Sequence, residues 1–281
     1  MHVILNGQLI PDTAATVSIF DRGFLYGDGL FETMRVSRGR PFRWADHLAR
    51  LQRGAAFLQI RVPFKEAELR EQARQLIEHN QLPESLLRLT LSRGVSVRGY
   101  SPKGADQPVL TMTLHPLSPA HDQNPPLWRV VTSSFRLPAG EILAQFKTCN
   151  KLAQILARAE ADARDADEAF LCNTDGHLVE ASAGNLFCVC EGVVVSPPLT
   201  AGILAGVTRV VVLELCQKLG LPTREAALTP DELFRADGVF VSLSSWGVVE
   251  IVSLDVRPLR RSSLVEKIRS AYQELLQSNP G

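Results

Sequence analysis

The chain has 281 residues, 45% hydrophobic and 21% charged, an ordinary globular composition with material for one or two cores. Thirty basic and thirty acidic residues cancel, and no basic tract stands out, so nothing offers a nucleic acid an electrostatic footprint. No apolar run approaches the roughly 20 residues that cross a bilayer, the first residues lack a secretory pattern, and five cysteines without a Cys-x-x-Cys pair predict a reduced, cytoplasmic protein.

His2 to Leu5, Asn6-Gly7 and Gln8 to Ile10 have the apolar run and turn dipeptide of a hairpin. A second hairpin is predicted from Leu30 to Val36, around Ser37-Arg38-Gly39 and back through Phe42. Asp46 opens a helix with Leu48, Leu51, Ala55 and Leu58 along one stripe, and another follows Pro63 with Leu69, Ala73, Leu76 and Ile77 inward. Leu86 to Leu91 and Val109 to Leu114 alternate as strands, which completes a small α/β domain over residues 1–116. Four prolines between 115 and 127 break the periodicity and place a linker at 117–127.

Residues 128–281 are predicted to form a larger domain, starting with a strand from Trp128 to Ser133. A helix fits Leu152 to Asp165, with Leu152, Ile155, Leu156 and Ala159 on one side. Glu168 to Cys172, Thr174-Asp175-Gly176 and His177 to Ala181 read as strand, turn and strand, continued by Asn185 to Cys190. Cys188 and Cys190, two apart in that strand, mark one sheet face and not a metal site. Val207 to Leu219 makes a helix stopped by Gly220, and a strand at Val239 to Leu243 precedes a closing helix from Ser263 to Gln277. The architecture is α+β in two domains.

Common catalytic motifs are missing: no phosphate-binding Gly-x-x-x-x-Gly-Lys loop, no His-Glu-x-x-His, no Gly-x-Ser-x-Gly elbow. Six histidines are scattered without ligand spacing, so no metal site is expected. Five segments remain distinctive: Phe24-Leu25-Tyr26-Gly27-Asp28-Gly29-Leu30-Phe31-Glu32-Thr33, His47-Leu48-Ala49-Arg50-Leu51, Phe146-Lys147-Thr148-Cys149-Asn150, Asp175-Gly176 through Glu180 to Gly184-Asn185-Leu186-Phe187, and Gly202-Ile203-Leu204-Ala205-Gly206-Val207-Thr208-Arg209.

In order and spacing these segments resemble the fold-type IV enzymes that use pyridoxal 5′-phosphate (PLP). Those are the branched-chain and D-amino-acid aminotransferases and the aminodeoxychorismate lyases, and the resemblance runs over residues 3 to 255. It implies a two-domain, D-amino-acid-aminotransferase-like fold with the cofactor at the domain interface. Lys147 matches the lysine that binds the cofactor covalently and later acts as a base; Lys151, four residues on, is assigned to the surface. Glu180 matches the carboxylate that pairs with the pyridine nitrogen. Arg50 matches the phosphate-binding arginine, where the alternative is a polar-face helix residue like Arg53. Val207 and Thr208, at a helix start, and Ser244 (or its neighbour Ser245) match further phosphate contacts, Thr208 being otherwise a helix cap.

On the substrate side the resemblance implicates Phe31, Thr33 and Arg35, which share one strand face, and Arg98 with Tyr100 from a loop that the other subunit of a homodimer contributes, Arg98 lying where D-amino-acid aminotransferases hold the substrate carboxylate. The Ser92-Arg93-Gly94 … Arg98-Gly99-Tyr100 form is closer to the lyases, so the expected reaction converts 4-amino-4-deoxychorismate to 4-aminobenzoate and pyruvate. The alternative is an aminotransferase acting on D-amino acids, branched-chain amino acids or amines. Three departures bear on that choice: Ser242-Leu243-Ser244-Ser245-Trp246 replaces a Thr-Asn-Ser segment, Glu250-Ile251 replaces Pro-Val, and Ala181-Ser182-Ala183-Gly184 is poor in hydroxyls. Trp246, beside the expected phosphate loop, either narrows the pocket or stacks an aromatic substrate.

Overall fold

The computed structural model describes residues 1–117 and 126–278, so the predicted linker lies, but for its ends, outside the described residues. Over its described residues the chain divides into two compact units, one from residues 1–117, Phe146–Asn150 and 277–278, the other from residues 126–145 and Lys151–Leu276.

The first unit contains a six-stranded antiparallel sheet ordered β2-β1-β6-β5-β3-β4. Its strands are β1 (His2–Leu5), β2 (Gln8–Pro11), β3 (Gly29–Ser37), β4 (Arg40–Pro41), β5 (Ser85–Ser92) and β6 (Val109–Pro116). Asn6 and Gly7 both take positive φ between β1 and β2, as a tight hairpin turn requires. Strand alternation sends Leu30, Met34, Leu87, Leu89, Leu91 and Met112 to one face, where they form a core with the helices α2 (Trp44–Leu58) and α3 (Glu66–Asn80). Leu48, Leu51, Ala55, Leu69, Ala73, Leu76 and Ile77 are buried there, as their 3.6-residue spacing predicts. The opposite face presents Phe31, Thr33 and Arg35 from β3 and their cross-strand partners Thr90, Arg88 and Leu86 from β5. A short helix, α1 (Arg22–Tyr26), escapes the periodicity analysis; Asp21 caps it by accepting from Gly23 N at 2.7 Å.

The second unit is built on β7 (Leu127–Leu137), β8 (Glu168–Asn173), β9 (Leu178–Ala181), β10 (Asn185–Cys190), β11 (Val193–Ser196), β12 (Thr223–Glu225), β13 (Gly238–Leu243), β14 (Gly247–Leu254) and β15 (Arg257–Pro258). The strand path β12-β11-β10-β13-β14-β7-β8-β9 returns on itself, because β9 pairs with β10 at Glu180 and Asn185. Six strands therefore close into a ring, which leaves no free edge between β9 and β10. Around it lie α4 (Leu152–Ala163), α5 (Val207–Lys218), α6 (Pro230–Arg235) and α7 (Ser263–Gln277). Cys188 and Cys190 do share a sheet face, with their sulfurs 3.7 Å apart.

One helix turns its apolar stripe away from the core of its unit. Along α4 the buried residues are Ala157 and Ala161, whereas Leu152 and Ile155 are 62% and 61% exposed. The small side chains let α4 approach β7 and β8 closely, in a cluster with Val131, Ala169 and Leu171, which turns the bulkier stripe outward. Strand β14 is also an addition: Gly247 takes φ +69 directly after a turn, and a Cβ there would stand 2.2 Å from the Tyr272 ring.

Candidate active site

Lys147 is positioned by backbone pairing. β4 covers β3 only at Val36 and Ser37, so the edge nearer the start of β3 is open to the segment Phe146–Asn150. There Phe31 N donates to Lys147 O at 2.9 Å and Cys149 N to Gly29 O at 2.8 Å. These bonds place the segment in the first unit and not with residues 128–281, as predicted. Phe146 anchors it by stacking on Phe57, with ring centres 4.4 Å apart. The half-buried Lys147 sends its Nζ to 4.6 Å over the Phe31 ring.

Beneath this segment, on the core side of β3, a charged cluster occupies an otherwise apolar face. Glu32 alternates with Leu30 and Met34, and its carboxylate is enclosed by α2. Arg50 donates from Nε at 2.8 Å and Nη2 at 2.5 Å, and His47 Nδ1 lies 2.7 Å from the same carboxylate. Burial alone would raise the Glu32 pKa, but the hydrogen bonds and charge of Arg50 and His47 outweigh it and hold the group at about 2. Burial pushes the His47 imidazole down from its ordinary value, against the pull of Glu32. A neutral His47 beside an ionised carboxylate carries its proton on Nδ1. Arg50 is thus buried, unlike the exposed Arg53, and two of its nitrogens bind Glu32. Glu32 and His47 were not singled out from sequence, although a charge at an inward strand position signals a required partner.

The predicted substrate residues separate into two groups. Phe31, Thr33 and Arg35 do share a face, with Arg35 Nη2 donating to Glu84 at 2.8 Å. Arg98 and Tyr100 lie on an exposed loop, Tyr100 being 86% exposed. That loop is held from within by the buried Arg22, whose guanidinium donates to the carbonyls of Gly99, Tyr100 and Ser101 at 2.9, 3.0 and 3.2 Å. Asp28 fixes Arg22 in turn at 2.8 Å and also binds Arg93. Arg22 lies outside the segments singled out in the sequence, and these contacts are what mark it.

In the second unit, Glu180 is buried at the closure of the strand ring, among Leu178, Val179, Leu186 and Phe187. Its Oε2 accepts from Leu204 N at 3.0 Å, and Asn185, its strand partner, donates from Nδ2 to Leu204 O at 2.9 Å. The same turn leads into α5, whose cap position is Gly206 with no side chain satisfying the first N–H groups. Thr208 is buried at the second helical position, so it is not the cap. A Cβ on Gly206 would come within 1.9 Å of Asn185 Oδ1, so only glycine fits. Uncapped N–H groups and the dipole make this helix start suited to an anion. Ser244 lies in the turn after β13, and nearby Ser242 Oγ is buried without a hydrogen-bond partner among the described residues. Trp246 packs against the core of this unit. Among the described residues no group of three His, Cys, Asp or Glu side chains is arranged to hold a metal, and no helix is long and apolar enough to cross a membrane.

Comparison with known proteins identifies the family. The family described as amino-transferase class IV matches residues 29–254. A D-alanine aminotransferase of Bacillus licheniformis is 31% identical over 282 residues, which is 99% of this chain and 98% of that protein. The solved branched-chain aminotransferase of Thermoproteus uzoniensis superposes with a TM-score of 0.93 at 28% identity, covering 100% of this chain and 96% of the other. The 4-amino-4-deoxychorismate lyase of Pseudomonas aeruginosa gives a TM-score of 0.86 at 31% identity, covering 98% and 99%. The chain belongs to the class IV aminotransferase family, the PLP-dependent enzymes of fold type IV.

Proposed function

We propose that this enzyme is a 4-amino-4-deoxychorismate lyase in which Lys147 holds PLP covalently and Glu180 keeps a proton on its ring nitrogen. The residues fit the cofactor group by group. Lysine supplies the amine that an aldehyde needs, a buried carboxylate suits a pyridinium, and the uncapped start of α5 suits a phosphate. Val207, Thr208, Ser244 and Arg50 are the proposed phosphate contacts. Ser242 Oγ, buried with no partner among the described residues, is consistent with a polar group arriving beside Ser244. Bound there, PLP supplies an electron sink for negative charge at the carbon bearing the substrate's amine.

With PLP bound, Lys147 Nζ would be the base that takes the proton from that carbon. Loss of the neighbouring carbon–oxygen bond would release enolpyruvate, which becomes pyruvate, and would leave the ring aromatic. Phe31, Thr33 and Arg35 line the strand face on which this occurs. The observation that carries the reading is the Ser92-Arg93-Gly94 … Arg98-Gly99-Tyr100 form of the loop, closer to the lyases than to the aminotransferases. Arg22 fixes its carbonyls, so a cationic Arg98 is held on a rigid support, as recognition of a substrate carboxylate needs. Exposure of Val97 at 76% and Tyr100 at 86% is consistent with a loop offered to a second copy of the chain in a homodimer.

Incubation with 4-amino-4-deoxychorismate should yield 4-aminobenzoate and pyruvate in equal amounts, while D-alanine with 2-oxoglutarate reacts only slowly. Efficient amino transfer with no aromatic product would contradict this. It would favour the second reading, an aminotransferase for D- or branched-chain amino acids, which the similarity to the B. licheniformis enzyme supports.

A further inference from the structure

The histidines have no ligand spacing along the chain, yet the fold brings two of them into contact. His2 lies on β1 and His79 in the last turn of α3, 77 positions away, and His79 Nε2 stands 3.0 Å from His2 Nδ1. The ring centres are 4.1 Å apart and the ring planes cross at 69°, so the imidazoles meet at an angle and not head-on. Asn80 holds the pair in register. Its Oδ1 accepts from His2 N at 2.8 Å, and its Nδ2 donates to His2 O at 3.0 Å and to Leu76 O at 3.0 Å. Both backbones are thereby fixed before any ligand arrives, which lowers the ordering cost of a two-point contact.

Two ring nitrogens this close cannot both be bare acceptors; one carries a proton that the other receives. A metal ion can take the place of that proton, because an imidazole nitrogen is also a ligand for Zn²⁺, Cu²⁺ and Ni²⁺. The proton then moves to the donor ring's other nitrogen, so both histidines bind in the neutral form that ligation requires. The spacing also selects the ion. With metal–nitrogen bonds of about 2.0–2.1 Å, nitrogens 3.0 Å apart subtend close to a right angle at the ion. That is the angle between neighbouring ligands of a tetragonal Cu²⁺ or Ni²⁺ centre, and it is too acute for tetrahedral Zn²⁺. The negative dipole end of α3 lies beside His79 and favours a cation there. We propose that His2 and His79 form a two-histidine site for Cu²⁺ or Ni²⁺, which ties β1 to the end of α3 within the first unit. The site uses no residue assigned to cofactor or substrate, and it stands apart from the reading of Lys147.

The test titrates Ni²⁺, Cu²⁺ and Zn²⁺ into untagged, chelator-treated holoenzyme of the wild type, His2→Ala and His79→Ala, read by calorimetry and thermal unfolding. His79 is exposed and His2 half-buried, so both variants should fold, and unfolding without added metal checks that they do. The wild type should take up a single Ni²⁺ per chain and bind it more tightly than Zn²⁺. At roughly a hundred times the Kd, Ni²⁺ should raise the wild-type Tm by about 5 °C. Each variant should bind Ni²⁺ about a hundredfold more weakly and lose the Tm shift. No uptake by the wild type, or equal uptake by His79→Ala, overturns the site. Loss in His2→Ala alone also overturns it, because the ligands would then belong to the chain's amino end. Zn²⁺ bound more tightly than Ni²⁺ would overturn the right-angle geometry and with it the ion class.

Discussion

Glu32 and Glu180 are both buried strand carboxylates, yet one is enclosed by charged side chains and the other is met by backbone. Arg50 and His47 surround Glu32, whereas Glu180 accepts from Leu204 N in a turn shaped by Asn185 and Gly206. Side-chain pairing fixes a charge and consumes it, so Glu32 orients Arg50 and carries much of the local stability. A backbone donor holds the Glu180 carboxylate in place, and a buried carboxylate so placed suits a cationic ring nitrogen brought by a ligand.

The largest expected effect separates these two modes. Glu32→Ala strands a buried guanidinium and should destabilise the protein by about 3–5 kcal/mol in denaturant unfolding; a loss below about 1 kcal/mol would mean the cluster behaves like a surface pair. Acid should expose the same difference. The folded-state pKa of Glu32, about 2, lies below its ordinary 4.5, so its contribution is full above pH 4.5 and is lost as pH falls towards 2. On the order of 3 kcal/mol of stability should disappear across that window, and the slope should flatten in Glu32→Gln.

A smaller effect probes the backbone-built half. Gly206→Ala places a methyl against Asn185 Oδ1 and should cost about 1–3 kcal/mol. Adding Asn185→Ala should recover part of that loss; simple additivity of the two substitutions would show that the close approach is not the cause. The smallest effect on stability belongs to Glu180→Gln, within about 1 kcal/mol, because an amide oxygen still accepts from Leu204 N. Its cofactor absorbance and turnover should nonetheless change, and a variant with native spectrum and rate would remove Glu180 from the site.

Where apolar spacing and tertiary packing agree, the sequence was a good guide, and α2 with α4 marks the boundary. Both helices carry an apolar stripe, but α2 buries Leu48 and Leu51 while α4 buries Ala157 and Ala161. Hydrophobicity alone cannot tell a close approach of small side chains from a solvent face. The short helix α1 is set by an Asp21 cap and not by periodicity, and Gly247 serves β14 through contact with Tyr272, far along the chain. Lys147, Glu180 and the start of α5 were legible because family spacing marks them. Glu32, His47 and Arg22 were not, since their meaning lies in which partner each side chain reaches in the folded chain.

The central claim is that Lys147 is the amine that carries the cofactor, and borohydride reduction of the holoenzyme followed by peptide mapping tests it most directly. The expected result is a single phosphopyridoxyl group on the peptide bearing Lys147, at its Nζ and not at Lys151, with absorbance and label both lost in Lys147→Ala. Label on Lys151, or turnover that survives Lys147→Ala, would contradict it.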